Sequence, residues 1–112
     1  PQISGIVHNT GGGQTKSLNI GEKVHFIKDN LIEPDPIFHL IKESSGESWR
    51  AMFEDYNMGT GFEIIVKENY AEKIVEIAES FDIGAKIIGR CEKSSSENKV
   101  TIDSEFGKFV YN

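Results

Sequence analysis

Trp49, Met52, Phe53 and Tyr56 fall at i, i+3, i+4 and i+7, an interval that puts an indole, a thioether and two rings on one side of a single helix. A face that apolar must be buried, so the rest of the chain has to supply a surface for it. Upstream, Ile37, Leu40 and Ile41 recur at i, i+3 and i+4. They follow Asp35 and Pro36, where an aspartate side chain can accept hydrogen bonds as N-cap and proline fits the first helical position. Gly46 separates these two helices. A third stripe, Ala71, Ile74, Val75, Ala78 and Phe81, stops near Asp82 and hands over at Gly84.

Between and around the helices lie short apolar runs with strand character: residues 3–7, 24–27, 62–66 and 85–89. Val100 and Ile102, then Phe109 and Tyr111, alternate as a closing β-hairpin does, and the polar residues 94–98 read as an exposed turn before it. The order β, β, α, α, β, α, β, β, β predicts an α+β domain, a layered α/β sandwich with one mixed, largely antiparallel sheet and packed helices. A doubly wound parallel sheet fits less well.

The chain has 112 residues, 38% of them hydrophobic, which suits a single domain over 1–112 with one core. Its net charge of −6 is spread along the sequence, which disfavours general affinity for nucleic acid or an anionic membrane. No apolar run approaches the ~18–20 residues of a membrane span, and no basic-then-apolar signal opens the chain, so a cytoplasmic setting is expected. The lone Cys91 excludes an internal disulfide and is expected to pack at a strand end. A start at Pro1, two residues ahead of a strand-like run, suggests a piece of something longer.

HNTGGGQT, residues 8–15, is the stretch richest in chemistry. Successive glycine amides can form an anion-binding concavity, and Lys16 adds a positive charge beside it. A surface turn between two strands is the plain alternative. His8 can serve as donor or general acid–base group near neutral pH, or as a structural hydrogen-bonder at a strand end. His25 and His39 have no partner at metal-ligand spacing and read as structural. The segment NMGTG, 57–61, is either a tight helix-to-strand turn or one side of a cleft mouth. No paired-carboxylate site and no metal site can be argued.

Together GIVHNTGGG, DPIFHLI, EDYNMGTGFEIIV and KIIGR resemble, in order and spacing, the C-terminal domain of the aminoimidazole ribonucleotide synthetases, also called phosphoribosylformylglycinamidine cyclo-ligases. The resemblance covers nearly the whole chain and rests most on H-x-T-G-G-G and on the Tyr-Asn-Met-Gly turn. It implies a partly ferredoxin-like α/β sandwich belonging to an ATP-using purine-biosynthesis enzyme whose separate N-terminal domain, absent here, holds most of the ATP-binding and dimer-forming machinery. ATP and Mg²⁺ are implied for the complete enzyme, with neither expected on this domain alone. By the same resemblance His8 faces the interdomain cleft as the candidate catalytic group. Thr10, Gly11, Gly12 and Gly13 offer donors to the phosphate of a phosphoribosyl substrate, and Asn57, Gly59 and Gly61 shape the opposite side. Where the family often places a Pro-Arg pair after the glycines, this chain runs QTKSLNIGEK, which makes Lys16 the candidate cation. The same domain of formylglycinamidine ribonucleotide synthetase, or a stand-alone ligand-binding module, are the alternatives.

Overall fold

The computed structural model describes residues 3–10 and 12–112. The apolar helix predicted around Trp49 forms as α2 (Trp49–Asp55), after α1 (Pro36–Ser45). Ser48 caps α2, its hydroxyl accepting from Ala51 N at 3.2 Å. Asp35 occupies the N-cap of α1, but its side chain makes no capping bond; its carbonyl accepts from Phe38 N and closes the first turn instead. Gly46, in the left-handed conformation (φ 74°), ends α1 as anticipated.

The expected sheet divides in two. β1 (Ile3–His8) pairs antiparallel with β3 (Phe62–Val66), while β4 (Gly89–Lys93), β2 (Val24–Lys28), β5 (Lys99–Ser104) and β6 (Gly107–Tyr111) form a four-stranded mixed sheet in the order β4-β2-β5-β6. β5 and β6 make the closing hairpin. β4 and β5, though consecutive, do not pair, because β2 lies between them, antiparallel to β4 and parallel to β5.

The fourth strand starts later than 85–89. Residues 83–88 are irregular, tied down by Asn30, whose backbone N donates to Ile88 O and whose Nδ2 donates to Ile87 O. The ladder begins at the Lys28–Gly89 pair, where a Cβ on residue 89 would collide with the Ile27 carbonyl. Cys91 also departs from expectation. It is exposed in the middle of the edge strand β4.

Met52 and Phe53 of α2 are buried against Phe26 of β2, Val100 and Ile102 of β5, Tyr111 of β6 and Met58 from the turn after the helix. This is the surface the helix face requires. A 3-10 helix, Gly13–Asn19, crosses beside α2, and a second, Glu68–Tyr70, leads into α3 (Ala71–Ser80). His25 and His39 are structural: His25 Nε2 and Thr101 Oγ1 lie 2.7 Å apart, and the His39 ring stands edge-on to Trp49 and Phe106. Among the described residues no helix is long and apolar enough to cross a membrane.

Candidate functional site

Antiparallel pairing of β1 with β3 sets His8 opposite Phe62, so the strands deliver the two informative segments, 8–13 and 57–61, to the same end of the sheet. The His8 ring lies flat on Phe62, centroids 4.7 Å apart, and both residues face outward. Beyond His8 the chain turns through Thr10 and Gly12. The Gly12 carbonyl accepts from the Thr15 backbone N and hydroxyl, and Lys16 Nζ reaches back to Thr10 Oγ1 at 3.0 Å. An imidazole, a hydroxyl and an ammonium therefore line one exposed lip. Gly11 lies outside the described residues.

Gly13 has a different position from its neighbours. It is buried, its amide donates to Thr10 O, and a Cβ there would strike Tyr56 O and stand 2.7 Å from Tyr56 N. Only glycine lets the loop lie this close to the end of α2.

The facing segment turns at Met58 and Gly59, both with positive φ. Asn57 Oδ1 accepts from Gly59 N at 2.9 Å, which closes the turn. Asn9 then sews the two segments together: its backbone N donates to Gly61 O (2.8 Å), its Nδ2 to Thr60 O (3.0 Å), and its own carbonyl accepts from Asn57 Nδ2 (3.2 Å). The structure thus joins the segment that carries His8, Thr10, Gly12 and Lys16 to the segment that carries Asn57, Gly59 and Gly61, with Asn9 as the link.

Beneath this surface lies a polar layer that sequence reading missed. Lys28 on β2 and Glu63 on β3 are 3% and 9% exposed, with Nζ 2.9 Å from Oε2. Lys28 also donates to the Gln14 carbonyl (2.8 Å) and to Gln14 Oε1 (3.0 Å), so all three ammonium protons have acceptors. Gln14 Nε2 donates to Asn57 O at 2.6 Å, and Asn9 Nδ2 donates to the same Glu63 oxygen at 2.5 Å. Burial pulls the Lys28 ammonium below its ordinary pKa, against the opposing pull of Glu63. The available signal was Lys28 at the end of the largely apolar strand VHFIK and Glu63 inside FEIIV.

Among the described residues, no group of three or more histidine, cysteine or carboxylate side chains is placed to hold a metal ion.

No family model matches the chain. Among curated proteins it is similar to sequences named phosphoribosylformylglycinamidine cyclo-ligase. The one from Methanocaldococcus jannaschii is 39% identical over 97 residues, 87% of this chain and 28% of that protein. The one from Methanococcus vannielii is 39% identical over 106 residues, 95% of this chain and 29% of its own length. That from Methanopyrus kandleri is 35% identical over 92 residues, covering 82% and 26%. The chain therefore spans less than a third of the length of these relatives.

Proposed function

We propose that this chain, similar over most of its length to phosphoribosylformylglycinamidine cyclo-ligases, is the C-terminal domain of such an enzyme, closing formylglycinamidine ribonucleotide to aminoimidazole ribonucleotide in purine biosynthesis. Its part is one wall of the phosphoribosyl cleft. The observation that carries this reading is the stitching of the Thr10–Lys16 loop to the Asn57–Gly61 turn through Asn9, with the Lys16 ammonium on the Thr10 hydroxyl beside it.

In the reaction the formyl oxygen is phosphorylated by ATP, the amidine-side nitrogen attacks the formyl carbon, and inorganic phosphate leaves as the ring closes. Turning an amide oxygen into a phosphate makes it a good leaving group, so the protein mainly positions and neutralises charge. Thr10 and Lys16 hold the ribose phosphate as hydroxyl donor and point charge, and the Gly12 turn lets the loop approach it closely. His8, fixed against Phe62, presents its ring to the reacting end of the substrate.

The ligands of Mg²⁺, with most of the ATP contacts, belong to an N-terminal ATP-binding domain of the same protein. That domain covers the outward face of the β1–β3 ribbon, where Ile6 (55%), Phe62 (64%) and Ile64 (45%) stand exposed beside one another. The complete enzyme is a cytoplasmic homodimer built chiefly through that other domain.

Amide-resolved NMR titration of the 112-residue chain with formylglycinamidine ribonucleotide, ribose 5-phosphate and ATP tests the reading. Shifts confined to Thr10, Gly12 to Lys16 and Asn57 to Gly61 with both phosphoribosyl ligands, and weaker ones with ATP, are expected. Shifts elsewhere, or none with any ligand, overturn it.

A further inference from the structure

The buried polar layer closes on itself. Lys28 donates to Gln14, Gln14 to the Asn57 carbonyl, Asn57 to the Asn9 carbonyl, Asn9 to Glu63, and Glu63 accepts from Lys28. Five residues from four separate parts of the chain, the end of β1, the 3-10 helix, β2 and the α2–β3 connection with its strand, form one hydrogen-bonded ring. Two of its members, Gln14 and Asn9, belong to the glycine loop, and Asn57 belongs to the facing turn. The ring therefore ties the two segments together from below.

We infer that Lys28 and Gln14 are positioning residues that set the spacing of the two phosphoribosyl-binding edges; this rests on the proposed cleft. Neither side chain reaches the exposed lip. Lys28 is 3% exposed, and its three protons are taken, so it has no donor left for a ligand. What it does instead is hold Gln14 by both backbone and side-chain oxygen, and so fix the direction in which Gln14 Nε2 meets Asn57. The seven-residue 3-10 helix also packs on α2 and takes Asn98 Nδ2 on its Leu18 carbonyl, but Gln14 is the side chain that ties its first turn to Asn57. Charge selects the arrangement: a loop shifted outward takes away two of the three acceptors of a buried ammonium and leaves it with Glu63 alone.

Two variants of the full chain test this. Gln14→Met cuts the ring at Asn57 while leaving Lys28 on the residue-14 carbonyl and on Glu63. Lys28→Met with Glu63→Gln removes both buried charges together. Each is read by formylglycinamidine ribonucleotide affinity and by hydrogen exchange of the ligand-free chain. The expected result is binding weakened at least about tenfold. Exchange of the Asn9, Gly13 and Thr60 amides, which donate to Gly61, Thr10 and Asn57 carbonyls, should quicken by a similar factor. Val100 and Ile102 amides should stay within about threefold. Folded variants that bind and exchange like the unaltered chain overturn the inference. If the unaltered chain binds no phosphoribosyl ligand, the cleft reading fails, and the exchange measurements still decide whether the ring sets the loops.

Discussion

Lys28 Nζ and Glu63 Oε2 form an ion pair 2.9 Å long in which neither side chain has more than 9% of its surface in solvent. Such a pair is stabilising mainly in the sense that breaking it is expensive. Lys28→Met leaves Glu63 as a buried carboxylate and should lower stability by roughly 3–5 kcal/mol. The double change with Glu63→Gln should lower it by clearly less, because no charge is stranded. Urea denaturation of the two variants checks this, and equal losses would mean that packing, not charge, dominates at Lys28.

Gly13 and Gly12 make a second contrast. Both have positive φ, 51° and 89°, but a Cβ at residue 13 would strike the Tyr56 backbone, whereas at residue 12 the nearest atom is Lys16 Cδ at 4.0 Å. Gly12→Ala should therefore cost only the left-handed backbone strain, about 1–2 kcal/mol. Gly13→Ala adds a clash that no side-chain rotation relieves, and should exceed it by at least about 2 kcal/mol. Thermal melts of the pair decide, and similar midpoints would show that the loop is free to lift off α2.

How much of this was legible beforehand follows from the range of each interaction. The face of α2 and the β5–β6 hairpin were readable because their periods of 3.6 and 2 lie within a few residues of sequence; the α1 stripe was not, since Ile37 and Leu40 stand exposed and Phe38 packs inward with Ile41. The insertion of β2 between β4 and β5 was not, since the parallel pairing of His25 with Lys99 spans most of the chain and leaves no local mark. Residues 85–89 look like a strand by apolar content, but Arg90, Glu92 and Lys93 mask the real one, which lies at the sheet edge. In the site, His8, Thr10 and the glycines were visible because glycine runs are rare and informative. Lys28 and Glu63 were not, because one polar residue in a strand ordinarily marks its solvent side. Only the pairing of β1 with β3, and the packing of β2 against them, turns both inward.

Alkaline pH should unfold the chain in a manner set largely by Tyr111. Its hydroxyl donates to Arg50 O at 2.6 Å, and burial pushes its pKa up from 10.0 to about 12. Above 10 the unfolded chain releases this proton and the native one keeps it, so the phenol's contribution is full below about pH 10 and is lost as pH rises toward 12. Cys91, whose thiol is raised by partial desolvation although the residue as a whole is exposed, acts in the same direction above its ordinary 9.0. Lys28, lowered, acts in the opposite one just below 10.5, where the unfolded chain holds the extra proton and stability rises with pH. Tyr111→Phe isolates the first effect. It should be less stable than the unaltered chain near neutral pH and show a shallower fall above about pH 10 in urea titrations; parallel curves would remove Tyr111 as the cause.

Lys16 supplies the last test, because among the described residues it is the cation placed on the proposed phosphate lip. Its Nζ gives one proton to Thr10 Oγ1 and has two left for an anion. The contact with Thr10 is at the surface, so its loss should change folding stability by no more than about 0.5 kcal/mol. Removing a charge from an oxyanion contact has a larger effect. Lys16→Ala should weaken ribose 5-phosphate and formylglycinamidine ribonucleotide about tenfold. It should also flatten the dependence of affinity on salt, since an exposed charge pair is screened over about 10 Å at moderate ionic strength. Lys16→Arg keeps the charge and should recover most of the affinity. Calorimetric titrations at low and high salt separate the outcomes: a Lys16→Ala chain that binds like the parent at both would place the phosphate elsewhere than against Thr10 and Lys16.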